Sequence, residues 1–250
     1  MSVLVRWSVL LVLLLGGFGC AGGLPSIPND PEAILAKGDD QFQKEKYFQA
    51  QELFKGFLAR FPGHERSDYA QLMLAESYLL DREYPLAAVE FRVLISDYGY
   101  SEYVDDAFFK EAVCFFEQAP DSHLDQTKSF EALSRFNQFL ITFTSSALVD
   151  QVNAYIARIH ETLAKKDLKN AKFYLRHQRK KSARIYLDKI LTLFPNNDYW
   201  LEATYLIGQM LLEEEDLTGA KAMFEVVGDY PKEFDFTAAA RAELEKMKAR

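Results

Sequence analysis

The sequence predicts an all-α fold: a right-handed superhelix of about five degenerate helix pairs closed by a capping helix. Three observations predict it. First, Ala50 is followed by Phe54 at i+4, by Phe57 and Leu58 at i+7 and i+8, and by Phe61 at i+11. That spacing puts every one of these side chains on a single helical face. Second, the frame recurs at Ala87, Ala132 and Ala183, and in a copy shortened by one residue at Ala220. Third, Pro62, Pro195 and Pro231 directly follow the terminal aromatic of three copies, where a residue without an N–H ends a helix. A helix with one such stripe cannot bury it alone, so five copies in tandem read as a repeat array.

In chain order, residues 1–19 form an export signal rather than part of the fold. Arg6 supplies a single positive charge, residues 7–15 an unbroken apolar run, and residues 16–19 a small-residue approach to Cys20. The apolar run is too short to span a membrane permanently. Gly17-Phe18-Gly19-Cys20 resembles a bacterial lipobox, with Gly17 in place of the usual leucine. The resemblance implies lipidation at Cys20 and removal of the signal. Ala21 after the cysteine favours an outer-membrane destination on the periplasmic face. Residues 20–31 then read as the lipidated cysteine and a flexible tether, rich in Gly, Pro and Ser. Pro31 after Asp30 caps the first helix.

Helix pairs are expected at 32–45 with 47–61, 67–80 with 84–98, 102–118 with 127–143, 148–177 with 180–194, and 199–213 with 217–230. A cap follows at 237–248. Within the second helix of the first pair, Gln51 is expected at the surface. The terminal aromatics Phe61, Tyr98, Phe143, Phe194 and Tyr230 are 37, 45, 51 and 36 residues apart. Tetratricopeptide repeats have a period of about 34 residues. The third repeat gains residues in a loop around Pro120, and the fourth in a helix of roughly thirty residues, about 45 Å long. That rod divides the array into an N-terminal half at 32–145 (repeats 1–3) and a C-terminal half at 146–250 (repeats 4–5 and the cap).

No catalytic or metal-binding constellation is present in the sequence, and no cofactor is expected. The four histidines are far apart, and the adjacent pairs Asp39-Asp40 and Asp105-Asp106 point to different sides of a helix and make no carboxylate dyad. The net charge of −8 argues against nucleic-acid binding. Cys114, inside an apolar helical run, is expected to be a buried thiol. Tyr69, Tyr103 and Phe109 either pack in the core or line a concave groove for a substrate peptide. Residues 158–184 carry ten Lys or Arg against Glu161 and Asp167, a net +8, so the rest of the chain carries −16. This basic stretch is either a solvated helix face or an electrostatic docking site for an acidic partner or anionic head groups. The residues expected to dock a partner are Lys165, Lys166, Lys169, Lys172, Arg176 and Tyr186.

The irregular order of spacings is the strongest signal of a family. Together with Lys46-Tyr47-x2-Ala50, Phe61-Pro62, Asp125-x-Thr127-x4-Ala132-x3-Phe136, Ala171-x-Phe173-Tyr174 and Leu193-Phe194-Pro195, it resembles the BamD lipoprotein family. That family belongs to the machinery that assembles β-barrels in bacterial outer membranes. The resemblance implies a non-enzymatic, lipid-anchored periplasmic scaffold. Its N-terminal repeats would bind unfolded outer membrane proteins, and its C-terminal repeats would dock the periplasmic domain of the barrel-inserting subunit beside other assembly lipoproteins. Tyr186 stands where the family often has an arginine implicated in contacting the barrel subunit. Two alternatives stay open: a tetratricopeptide lipoprotein of another envelope process, such as cell-wall synthesis or division, and a glycan-binding uptake lipoprotein.

Overall fold

A computed structural model describes residues 29–195 and 197–249. Cys20, the export signal and most of the tether lie outside the described residues. Within them the chain is all-helical, with eleven α-helices: α1 (Pro31–Gln43), α2 (Tyr47–Arg60), α3 (Ser67–Leu80), α4 (Tyr84–Asp97), α5 (Val104–Glu117), α6 (Thr127–Thr142), α7 (Val149–Arg176), α8 (Lys180–Leu193), α9 (Asp198–Glu213), α10 (Leu217–Gly228) and α11 (Asp235–Lys248). Each helix packs on the next in sequence, which makes the array quasi-one-dimensional. The odd-numbered helix opens each pair, and the even-numbered helix carries the Ala-aromatic frame. No helix among the described residues is long and apolar enough to cross a membrane.

The frame positions build the core. Ala50, Phe54, Phe57, Ala87, Phe91, Leu94, Ala132, Phe136 and Phe139 are fully buried. So are Ala183, Leu187, Ile190, Ala220, Phe224 and Val227 in the last two repeats. Each alanine has a small partner on the opening helix of its own pair: Gly38, Ala75, Ala112, Ala171 and Gly208, all buried. In the first and fifth pairs the aromatic four residues after the anchor sits over that small residue. A Cβ added at Gly38 would lie 2.7 Å from the Phe54 ring, and one at Gly208 would lie 2.7 Å from the Phe224 ring. Gln51 departs from expectation: it is 3% exposed. Its Nε2 donates to Asp81 Oδ2 at 3.2 Å and reaches Ser77 O at 3.5 Å on the next pair, so it belongs to the interface between the first two repeats.

The two turn types are also repeated. Within pairs one, two, four and five a left-handed residue turns the chain: Glu45 (φ 57°), Arg82 (63°), Gln178 (58°) and Glu215 (64°). After α2, α4, α6 and α8 the terminal aromatic closes the helix at φ −119 to −131° and ψ 41 to 56°. The carbonyls of Phe61, Tyr98 and Phe143 then accept from the N–H groups of His64, Ser101 and Ser146 at 2.8–3.1 Å. A carboxylate at the start of the preceding opening helix reaches the same turn. Ser101 Oγ donates to Asp68 at 2.7 Å, Ser146 Oγ to Asp105 at 2.7 Å, and Arg66 to Glu32 at 2.8 Å. Lys232 meets Asp198 at 2.7 Å in the same way before α11. α10 ends two residues before Tyr230, because Arg241 of α11 donates its Nε–H to the Gly228 carbonyl at 2.8 Å.

The apolar interior does not divide at residue 145. One cluster runs from Ile34 through α1–α4 and ends on α5 at Ala107 and Cys114. A second starts on the other side of α5, at Phe108, Phe109, Ala112 and Val113, and runs through α6–α9. A third joins α9, α10 and α11. Cys114 is buried, and desolvation pushes its thiol up to about 12, the inert state expected for it.

Candidate functional site

α7 organises the C-terminal repeats. Val152, Ile159, Leu163, Ala164, Asp167, Leu168 and Ala171 form its buried face. Asp167 is paired with Lys189 of α8, Nζ to Oδ2 at 2.8 Å, and Lys172 with Glu202 of α9 at 2.6 Å. Lys180 and Glu213 form a further ion pair between the start of α8 and the end of α9. These contacts hold α8 and α9 against different sides of the rod.

Between α7 and α9 runs a groove of about 640 Å³. Leu168, Leu175 and Tyr199 supply its apolar surface, and Lys165, Lys169, Lys172 and Arg176 line it with Glu202. The spacing from 165 to 169, 172 and 176 keeps these four cations within about 60° of one another's direction on the helix at 3.6 residues per turn. Lys172 is neutralised by Glu202. Among the described residues Lys165, Lys169 and Arg176 form no ion pair. Lys165 and Lys169 also face a second, polar groove of about 580 Å³, completed by Thr162 and the loop 119–123. Gln126 fixes that loop: its Nε2 donates to the Asp121 carbonyl at 2.9 Å, and its Oε1 accepts from Ser129 at 2.8 Å. Lys166 pins the loop to α7 by donating to the Leu124 carbonyl at 2.6 Å.

Of the six residues expected to dock a partner, the structure brings Lys165, Lys169, Lys172 and Arg176 to one groove. Lys166 lies beside them on the loop contact. Tyr186 lies elsewhere. Its ring stacks on Tyr174 at 5.6 Å and 16°, and Tyr174 falls about 140–180° around the α7 axis from the four cations. The five basic residues thus lie on α7, and Tyr186 lies on α8, against the opposite side of α7. On the Tyr186 side, Ile185 is 69% exposed and Leu193 is 51% exposed.

The aromatic trio expected in a peptide groove also divides. Tyr69 and Tyr103 face each other at 6.3 Å and are half-buried. Tyr69 donates its hydroxyl hydrogen to Asp39 Oδ1 at 2.8 Å. Burial, and then this bond to a carboxylate, raise its ionisation well above the ordinary tyrosine range. Phe109 does not line a groove. It is 7% exposed and packs on Phe136, Phe139 and Tyr155, because its position on α5 faces α6 and α7.

Leu168, Leu175, Tyr199 and Glu202 complete the basic groove and were not among the residues expected to dock a partner. Leu168 and Leu175, seven residues apart among the lysines, carried a readable spacing; Tyr199 and Glu202 enter only through tertiary packing. No group of three His, Cys, Asp or Glu among the described residues could hold a metal.

Known proteins resemble this chain along most of its length. It is 25% identical over 241 residues to the outer membrane protein assembly factor BamD of Rickettsia prowazekii, covering 94% of each protein. It is 22% identical over 221 residues to the BamD of Caulobacter vibrioides, covering 84% of this chain and 72% of that one. A solved tetratricopeptide repeat protein of Bacteroides fragilis covers 89% of this chain and 97% of its own, with a TM-score of 0.47 and 13% identity. The family model for the outer membrane lipoprotein YfiO matches residues 28–206, and the chain belongs to that family.

Proposed function

We propose that the protein is a lipid-anchored scaffold of outer membrane β-barrel assembly, held at the periplasmic face through Cys20. Its N-terminal repeats receive unfolded barrel precursors along the opening helices that carry Tyr69 and Tyr103. Its C-terminal repeats dock partners on both sides of α7. The face with Tyr186, Ile185 and Leu193 meets the barrel-inserting subunit, and the basic groove takes a second, acidic contact. The observation that supports this reading is that the basic residues of α7 and the exposed Ile185 and Leu193 beside Tyr186 on α8 lie on different sides of α7, in a member of this family. A rigid rod with two unlike faces holds two partners in fixed relation, as a scaffold must.

The test is a pull-down of the full chain from detergent-solubilised envelopes. Recovery of a barrel-inserting subunit is expected, and its loss on Ile185→Asp/Tyr186→Ala would place that contact on α8. Recovery of cell-wall enzymes without a barrel protein would sink the reading. For the anchor, a metabolic fatty-acid label should be incorporated by the wild type and absent from Cys20→Ser.

A further inference from the structure

We infer that the groove between α7 and α9 is a binding site for an acidic amphipathic α-helix of a partner protein. The inference rests on the reading of the C-terminal repeats as a docking module and adds what binds there and how. The apolar floor consists of the buried Leu168 and the partly exposed Leu175 and Tyr199. Leu168 and Leu175 are two helical turns apart, a rise of about 10 Å. A bound helix that places apolar residues at i and i+7 repeats that rise, with a residue at i+3 or i+4 between them. A bound β-strand repeats its same-face side chains every 6.6 Å or so, which does not match.

The charges select the sign of the occupant. Lys165, Lys169 and Arg176 line the groove over about 16 Å of α7 and form no ion pair among the described residues. Lys172, which would otherwise be a fourth free cation, is already paired with Glu202. A helix with carboxylates flanking its apolar stripe would pair with the three remaining cations while burying its stripe on the floor. A basic helix would meet the same cations as like charges. The occupant is a helix rather than a membrane surface because the apolar floor lies in a cleft between two helices, where a planar bilayer cannot follow it.

The probe is a synthetic helical peptide of about 18 residues, long enough to be partly helical in water. It carries leucines at i, i+4 and i+7 with glutamates beside them. A second peptide replaces each glutamate with lysine. Binding of the labelled peptides to the full chain is measured by fluorescence anisotropy across a range of salt. The acidic peptide should bind at least tenfold tighter than the basic one, with affinity falling as salt screens the contact over about 10 Å at 0.1 M.

Lys165→Glu/Lys169→Glu/Arg176→Glu should weaken the acidic peptide at least tenfold and favour the basic one. Its thermal melt should match the wild type, since none of the three residues forms an ion pair among the described residues. Ile185→Asp should leave peptide binding unchanged. Equal binding of the two peptides, or no effect of the triple variant, would overturn the proposal. So would binding of the basic-groove face to phosphatidylglycerol vesicles with no peptide binding. The envelope pull-down separates the two readings: the triple variant should still recover the barrel-inserting subunit through α8. Failure of that recovery in the wild type would count against the assembly role and not against the groove.

Discussion

Gly38 and Phe54 show how one repeat is closed at the scale of single residues. The Phe54 ring occupies the space a side chain at 38 would need, at 2.7 Å from where a Cβ would sit. Gly38→Ala gains about 1 kcal/mol of helix propensity. It then forces the ring or the helix aside, which costs about 1–3 kcal/mol in a packed core. A net loss of about 1 kcal/mol is expected in urea melts. Gly63, with open space around its Cβ position, should tolerate alanine within about 0.5 kcal/mol. Equal effects at the two positions would mean that Gly38 does not seat Phe54. The aromatic half of this contact was legible, because i, i+4, i+7 spacing is periodic within one helix. The small half was not: a lone Gly or Ala across a turn from its partner has no period. It shows only when the five repeats are compared, twelve residues before Ala50, Ala87, Ala183 and Ala220 and twenty before Ala132. Gln51 was misplaced for a related reason. A polar residue buried by its bonds to Asp81 and Ser77 looks like a surface residue until the next pair is in place.

At the scale of the element, the helices were readable from their stripes and caps. Asp30, the cap expected for α1, accepts from the Ala33 N–H at 2.8 Å; the start of α9 was read from its stripe alone, and there Asn197 accepts from the Trp200 N–H at 2.8 Å. The turns within pairs were not readable, because their left-handed positions hold Glu45, Arg82, Gln178 and Glu215 rather than glycine. Each is followed by a residue whose N–H bonds a carbonyl five residues back at 2.9 Å, the Schellman closure of a helix end. A left-handed residue with a Cβ costs roughly 1–2 kcal/mol. Glycine removes that cost but adds roughly 0.5–1 kcal/mol of backbone entropy in the unfolded chain. Arg82→Gly should therefore raise stability by roughly 0.5–1 kcal/mol, and Arg82→Ala should not. A urea midpoint for the glycine variant at or below that of the alanine variant would contradict this account. The third pair lacks the tight turn, and there the buried Gln126 fixes a longer loop.

For the whole molecule, the order of repeat spacings made the family legible, and the long α7 marked the middle of the array. The division expected at 145 was not the division of the core, because α5 presents different residues to the clusters on its two sides. The basic stretch was legible as a charge count, and its sorting into a groove on one side of α7 and Tyr186 on the other needed the packing of α8 and α9. The central claim is that this rod and its repeats serve outer membrane β-barrel assembly. The most direct measurement is the amount of folded β-barrel protein in the outer membrane after the chain is depleted from its cells. Folded barrels should fall several-fold and return with the wild-type chain. Unchanged barrel levels in depleted cells that fail in wall synthesis or division would contradict the account and assign the scaffold to another envelope process.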